Sequence, residues 1–170
     1  MNETTLDQVL TQYHEANQDI VNVDEATVKL VIFELGTEWF AINGERIREI
    51  LAQAEVFFVP GSPASLEGVI NVRGDIESVI RLHEMLHLPE QKIKPGSSIL
   101  LGRGGNMSSG IRVDRVIDVI DLPESTIQPP PGTLPEHMHA KVLGVLRFKD
   151  KPVAVLDLDQ IFSDYARGLG

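Results

Sequence analysis

GVINVRGDIESVIRL (residues 68–82) and GVLRFKDKPVAVLDL (residues 144–158) align without a gap at a constant offset of 76 residues. Gly68 falls on Gly144, Val69 on Val145, Val79 on Val155 and Leu82 on Leu158. Elsewhere in the window the apolar pattern is kept without identity: Ile70 meets Leu146, Val72 meets Phe148 and Ile80 meets Leu156, while Arg73 meets Lys149. Each copy reads as an apolar run, a charged turn and a second apolar run, which is a β-hairpin. A hairpin that recurs at a fixed distance implies a chain assembled from two copies of one unit.

The surroundings of both copies support an all-β reading. From Lys29 onward, short runs rich in Val and Ile are separated by Gly, Pro and Asn at the spacing of an all-β domain. The strand candidates are residues 29–35, 38–42, 46–51, 56–59, 68–72 and 75–82, then 97–102, 110–114, 116–122, 141–148 and 152–158. Each half supplies about five. Two five-stranded motifs in one chain suggest two small barrels related by a pseudo-twofold, with their mutual groove as the natural binding surface. A single β-sandwich is the competing arrangement.

Continuing the same offset decides the reading of a tempting motif. HEMLH (His83 to His87) matches HExxH, in which a helix offers two histidines to zinc and a glutamate to a water. The repeat lays His83, Glu84, Met85, Leu86 and His87 over Asp159, Gln160, Ile161, Phe162 and Ser163. What the copies share is apolar at the third and fourth positions, the requirement of a short helix that closes a barrel end. Pro89 then ends the first helix, and the following LPEQKI supplies neither the glycine nor the third histidine of longer zinc patterns. His137 and His139 of PEHMHA read as loop histidines. Gly102, Gly104 and Gly105 in GRGGN lack the Lys-Ser/Thr of a phosphate loop and read as a hairpin turn. No catalytic residue, metal ligand or cofactor site is therefore expected.

Composition narrows the partners. The 170 residues are 42% apolar, contain no cysteine and carry a net charge of -10. Thiolate zinc sites, disulfides and cysteine nucleophiles are excluded. Nucleic acid is disfavoured, because phosphate binding needs clustered cations and the 15 Lys and Arg residues form no block. No 18-residue apolar run and no signal peptide are visible, so a cytoplasmic protein with a protein partner and no membrane insertion is expected. Residues 1–28 hold six acids and no base, against 19 acids and 15 bases in the remainder. This leader reads as a solvated acidic tail. A short amphipathic helix is the alternative, because Leu6, Val9, Leu10 and Tyr13 follow a capping-box pattern at Thr5 and Gln8.

Taken in order, VIFELGTEWFAI, the REI of Arg48 to Ile50, VPGSPASLEGVINVRG, GIRVDRVIDVIDL and the terminal VLDLDQIF resemble the CheW-like domain of bacterial chemosensory coupling proteins. GVINVRG (Gly68 to Gly74) is the most specific of these stretches, and the resemblance covers residues 29 to about 165. It implies two intertwined five-stranded SH3-like β-barrels with short helices after each half. The first barrel would span about 29–95 with strand exchange, the second about 96–160, and the terminal helix about 157–166. It further implies no enzymatic activity. The implied role is that of an adaptor between a methyl-accepting chemoreceptor's cytoplasmic hairpin tip and the regulatory domain of a CheA-type histidine kinase, recruited to receptor arrays.

By the same resemblance, Ile47, Glu49, Ile50, Arg73, Val116 and Val119 would line the receptor groove. Arg73 stands out unaided, since a guanidinium on an exposed turn can grip a carboxylate through two parallel bonds. The plain readings are a solvated turn charge for Arg73 and core packing for the aliphatic residues. Ser78 and Arg81 depart from the family pattern, which commonly has a proline and an aspartate there. Asp157 keeps the acid in the second copy, so the helix after Arg81 is expected to lack a capping acceptor. A zinc hydrolase built on His83 and His87, and a barrel module for an unrelated ligand, are the competing functions. A fragment of a longer protein is a further possibility that the chain end ARGLG makes less attractive.

Overall fold

The computed structural model describes residues 25–89 and 92–168, so the expected leader helix around Leu6 to Tyr13 lies outside the described residues. The strands are β1 (Thr27–Leu35), β2 (Glu38–Asn43), β3 (Ile47–Leu51), β4 (Leu66–Val72) and β5 (Asp75–Arg81), followed by β6 (Ser98–Gly104), β7 (Met107–Val113), β8 (Arg115–Pro123), β9 (Val142–Phe148) and β10 (Lys151–Leu156). Three short helices accompany them: α1 (Leu82–Met85), α2 (Glu136–His139) and α3 (Leu158–Ala166). The strands form two five-stranded sheets, ordered β8-β1-β2-β10-β9 and β3-β6-β7-β5-β4. The protein is all-β, as the short Val- and Ile-rich runs of its sequence predict.

The order shows how the two repeats are joined. Hairpin β1–β2 lies in the sheet built from β8, β9 and β10, and hairpin β6–β7 lies in the sheet built from β3, β4 and β5. Each half of the chain therefore lends its first hairpin to the barrel of the other. The junctions correspond residue for residue. Both are parallel pairs, with Val155 opposite Ala41 in one sheet and Val79 opposite Gly110 in the other. The outer pairs agree as well, Leu30 facing Ile120 as Ile99 faces Leu51.

Burial follows this exchange. Alternate residues of a strand point to opposite faces, and β1 is covered on both: Leu30 and Ile32 enter the core of their own sheet with Ala41, Val153 and Val155, while Val31 and Phe33 enter a central core. The second sheet has its own small core of Ile70, Val79, Ile99 and Leu101. The central core is the largest. It takes Phe40 and Leu156 from one sheet, Ile80, Leu100 and Ile111 from the other, and the apolar faces of α1 and α3. Leu82, Met85 and Leu86 are fully buried there, as are Ile161 and Phe162, so the expected equivalence of the two helices holds at the level of packing. Lys141, itself buried, donates from Nζ to the Met85 carbonyl at 2.6 Å and closes the C-terminal end of α1.

The identical glycines of the opening repeat have one physical cause. A Cβ on Gly68 would stand 2.3 Å from the Phe57 carbonyl oxygen, and one on Gly144 would stand 2.6 Å from that of Gln128. Phe57 pairs with Val69, and Gln128 pairs with Val145, each as a single antiparallel bridge along an outer strand. The incoming segment lies so close that only glycine fits beneath it.

Two sequence expectations are corrected here. Residues 56–59 do not form a strand: Phe57 makes the lone bridge to Val69, and the chain then turns through Pro60 and Gly61, which has φ of +77°. His137 and His139 are not in a loop but on the single-turn helix α2, entered through Pro135, whose ring supplies the φ that precedes a helical turn.

Candidate functional site

The residues of the expected groove fall on the two outer strands β3 and β8 and on the turn between β4 and β5. Arg73 occupies that turn with φ of +51°, and Gly74 follows at +92°. Asn71 makes the turn possible, its side-chain oxygen accepting the Gly74 amide at 2.8 Å. The guanidinium is thereby aimed at β3. Nη1 donates to Glu49 Oε1 at 3.1 Å and Nη2 to Oε2 at 2.6 Å, a fork-to-fork pair between an exposed guanidinium and a half-buried carboxylate. Arg73 holds the Glu49 carboxyl below the ordinary carboxylate range, through the hydrogen bonds first and its charge second. Glu49 in turn raises the Arg73 guanidinium, again mainly through the hydrogen bonds.

Beside this pair, β3 carries an irregularity. The register shifts between Ile47, opposite Gly102, and Glu49, opposite Leu101, so Arg48 is the extra residue of a bulge. Its guanidinium donates to Glu77 Oε1 at 3.0 Å and Ser108 Oγ at 2.8 Å. Together the two arginines tie β3, at one margin of its sheet, to the β4–β5 hairpin at the other. The sequence singled out Arg73 and Glu49 but not Arg48; its place inside REI was visible, whereas the bulge that frees it was not.

The four aliphatic residues divide. Ile47 and Val116 are half-buried and pack against the central core, so they serve the fold at least as much as a surface. Ile50 and Val119 are exposed, at 41% and 45%. Ile50 lies next to Glu49 on β3, whereas Val119 lies on β8, opposite Val31 in the other sheet. The structure thus joins Arg73 and Glu49 directly, turns Ile50 to the opposite face of β3 from Glu49, and links Ile47 to Val116 only through the core. Ile76, on the same hairpin as Arg73, is 66% exposed and was not anticipated. Its place after the charged turn made it read as an ordinary strand residue.

HExxH does not assemble as the zinc motif would. Helix α1 ends at Met85, and His87 lies beyond it with φ of +55°, so the two histidines do not share one helical face. His87 instead stacks on His137, ring centres 4.6 Å apart. Among the described residues no group of three or more His, Asp or Glu side chains converges as a metal-ligand set.

This fold has counterparts among known proteins. A model of the CheW-like domain family matches residues 29–166. The chemotaxis protein CheW of Treponema pallidum is 32% identical over 149 residues, covering 83% of this chain and 85% of that protein. The chemotaxis protein CheW of Thermotoga maritima is 28% identical over 138 residues, covering 80% of this chain and 88% of that protein. The crystal structure of the scaffolding protein TtCheW from Thermoanaerobacter tengcongensis superposes with a TM-score of 0.73 at 28% identity, covering 81% of this chain and 93% of that one. The match takes in both sheets, all three helices and the Arg73 turn, and the chain belongs to the CheW-like domain family.

Proposed function

We infer that the protein is a non-enzymatic adaptor of a chemosensory system, acting in the cytoplasm to couple the hairpin tip of a chemoreceptor to the regulatory domain of a CheA-type histidine kinase. Its similarity over most of its length to chemotaxis proteins and to a scaffolding protein supports the signalling role. The observation that carries the receptor assignment is the bidentate pair between Arg73, on an exposed turn, and Glu49 of β3, the strand that also exposes Ile50. A receptor tip is a helical hairpin, and a helix docks on an apolar strip flanked by a few fixed charges. Glu49 holds the guanidinium in one orientation before any partner arrives, which lowers the entropy lost on docking. Val119, exposed on β8, would add an apolar contact from the other sheet, with half-buried Val116 supporting it from the core side.

The test is a pull-down with purified receptor cytoplasmic fragment and purified kinase regulatory domain. Arg73→Glu places two carboxylates side by side and is expected to weaken receptor capture by at least about tenfold, the scale of losing a charge-assisted contact. Kinase binding should persist if the kinase uses another face. Retention of both contacts at full strength would remove Arg73 from the site.

A further inference from the structure

Away from the Arg73 turn, a second concavity opens where the β1–β2 turn of one sheet meets the ends of β5 and β7 in the other. It is a pocket of about 520 Å³, within the usual range of small-molecule sites. Leu35, Leu88 and the partly exposed Ile93 give it an apolar side, and its polar lining includes Arg81, His83, Lys92 and Arg112 together with three acids. Its frame is rigid. Arg112 grips Glu67 through two hydrogen bonds of 2.9 and 2.7 Å, a pair almost wholly withdrawn from solvent. The Gly36 amide donates to Asp114 at 2.7 Å, and Lys94 stands 3.4 Å from the same carboxylate. Two of the three acids around the pocket are therefore already matched by protein groups, leaving Glu38 exposed at the rim.

Two of the cations are not matched in the same way. Among the described residues the Arg81 and Lys92 side chains make no hydrogen bond or ion pair, and the buried His83 Nε2 finds no hydrogen-bond partner, the Glu84 carboxylate standing 3.9 Å away. Arg81 is also the position at which the repeat breaks. Its counterpart Asp157 caps α3 by accepting the Gln160 amide at 3.2 Å, whereas Arg81 precedes α1 with no side-chain cap. The first half thus gives up a helix cap and gains a guanidinium in a half-apolar pocket. We propose that this pocket binds a small organic carboxylate with a compact apolar body, the carboxylate held by Arg81 and Lys92 and the body resting on Leu35, Leu88 and Ile93. A guanidinium reads a carboxylate through two parallel bonds, and partial exclusion of water strengthens them.

The test uses the full-length, nitrogen-15-labelled protein titrated with benzoate, and separately with inorganic phosphate as an anion without an apolar body. Saturable shifts of the Arg81, His83 and Lys92 amides by benzoate, with a dissociation constant on the order of 1 mM or tighter, are expected. Phosphate should bind more weakly. Arg81→Asp should weaken benzoate at least about tenfold; because it restores the carboxylate that caps the equivalent helix, loss of binding would not reflect loss of fold. Arg81→Gln, which removes charge without adding an acid, should weaken benzoate as well. Three outcomes would overturn the proposal: no saturable shift with benzoate, unchanged benzoate affinity in both variants, or phosphate binding as tightly as benzoate.

Discussion

The side-chain pair of Arg73 with Glu49 is open to a direct measurement. Arg73 keeps the Glu49 carboxyl ionised to lower pH than the ordinary value of 4.5. A carboxyl whose folded value lies below its unfolded one contributes stability that is fully present above the unfolded value and is lost as pH falls through the folded one. The pair should therefore persist through neutral pH and break below pH 4.5. A carbon-detected titration of Glu49 is expected to show a midpoint below that of an ordinary glutamate, and Arg73→Ala should return it upward. An unperturbed midpoint in the parent protein would mean that the fork geometry is not populated in solution. Arg73 was legible in the sequence because a turn between two apolar runs must be exposed. Its bond to Glu49 was not, because the two positions meet only once the sheet curls and a bulge at Arg48 shifts the register.

Helices α1 and α3 show how far the repeat carries at the level of elements. Their buried faces correspond, Met85 with Ile161 and Leu86 with Phe162, because the same barrel end must be closed twice. Their caps do not correspond. Asp157→Ala is expected to cost about 1 kcal/mol, the usual worth of an N-cap acceptor, whereas Arg81→Asp should raise stability by about 0.5 to 1 kcal/mol by supplying the missing one. Thermal denaturation of both variants measures this, and a lowered midpoint for Arg81→Asp would show that Arg81 is held by something worth more than a cap. The strands under Gly68 and Gly144 make a paired prediction. Alanine at either forces apart a backbone contact that would close to 2.3 Å at Gly68 and 2.6 Å at Gly144, so each should lose about 1 to 3 kcal/mol, the scale of overpacking; no loss in chemical denaturation would refute the close approach. The apolar runs located all ten strands in advance, and the repeat gave the apolar positions of the two closing helices. Apolar periodicity misread residues 56–59, where two phenylalanines look like a strand but only Phe57 is bridged and Phe58 is left 71% exposed.

At the scale of the whole molecule, the exchange of hairpins makes each half of the chain an incomplete barrel. The repeat in the sequence announces two copies, but not which hairpin joins which sheet, because local periodicity is silent on pairing between residues far apart in the chain. The family resemblance implied an exchange of strands, and the registers, Val155 with Ala41 and Val79 with Gly110, show which hairpins cross. The central core, shared by both sheets and both closing helices, is larger than either sheet's own. Unfolding of one barrel would strip that core from the other, so the described residues should melt in one cooperative transition with matching calorimetric and van't Hoff enthalpies. Phe162→Ala, which empties a fully buried ring from the shared core, should cost about 3 to 5 kcal/mol and keep the transition single. A chain divided into residues 1–95 and 96–170 supplies the sharper experiment. Each fragment holds three strands of one sheet and two of the other, so neither can complete a barrel alone. Separately they should lack native circular dichroism, and on mixing they should recover it by trading hairpins. Independent folding of either fragment would mean that its hairpin can close its own half, and that the exchange is a choice of the assembled chain rather than a condition of its stability.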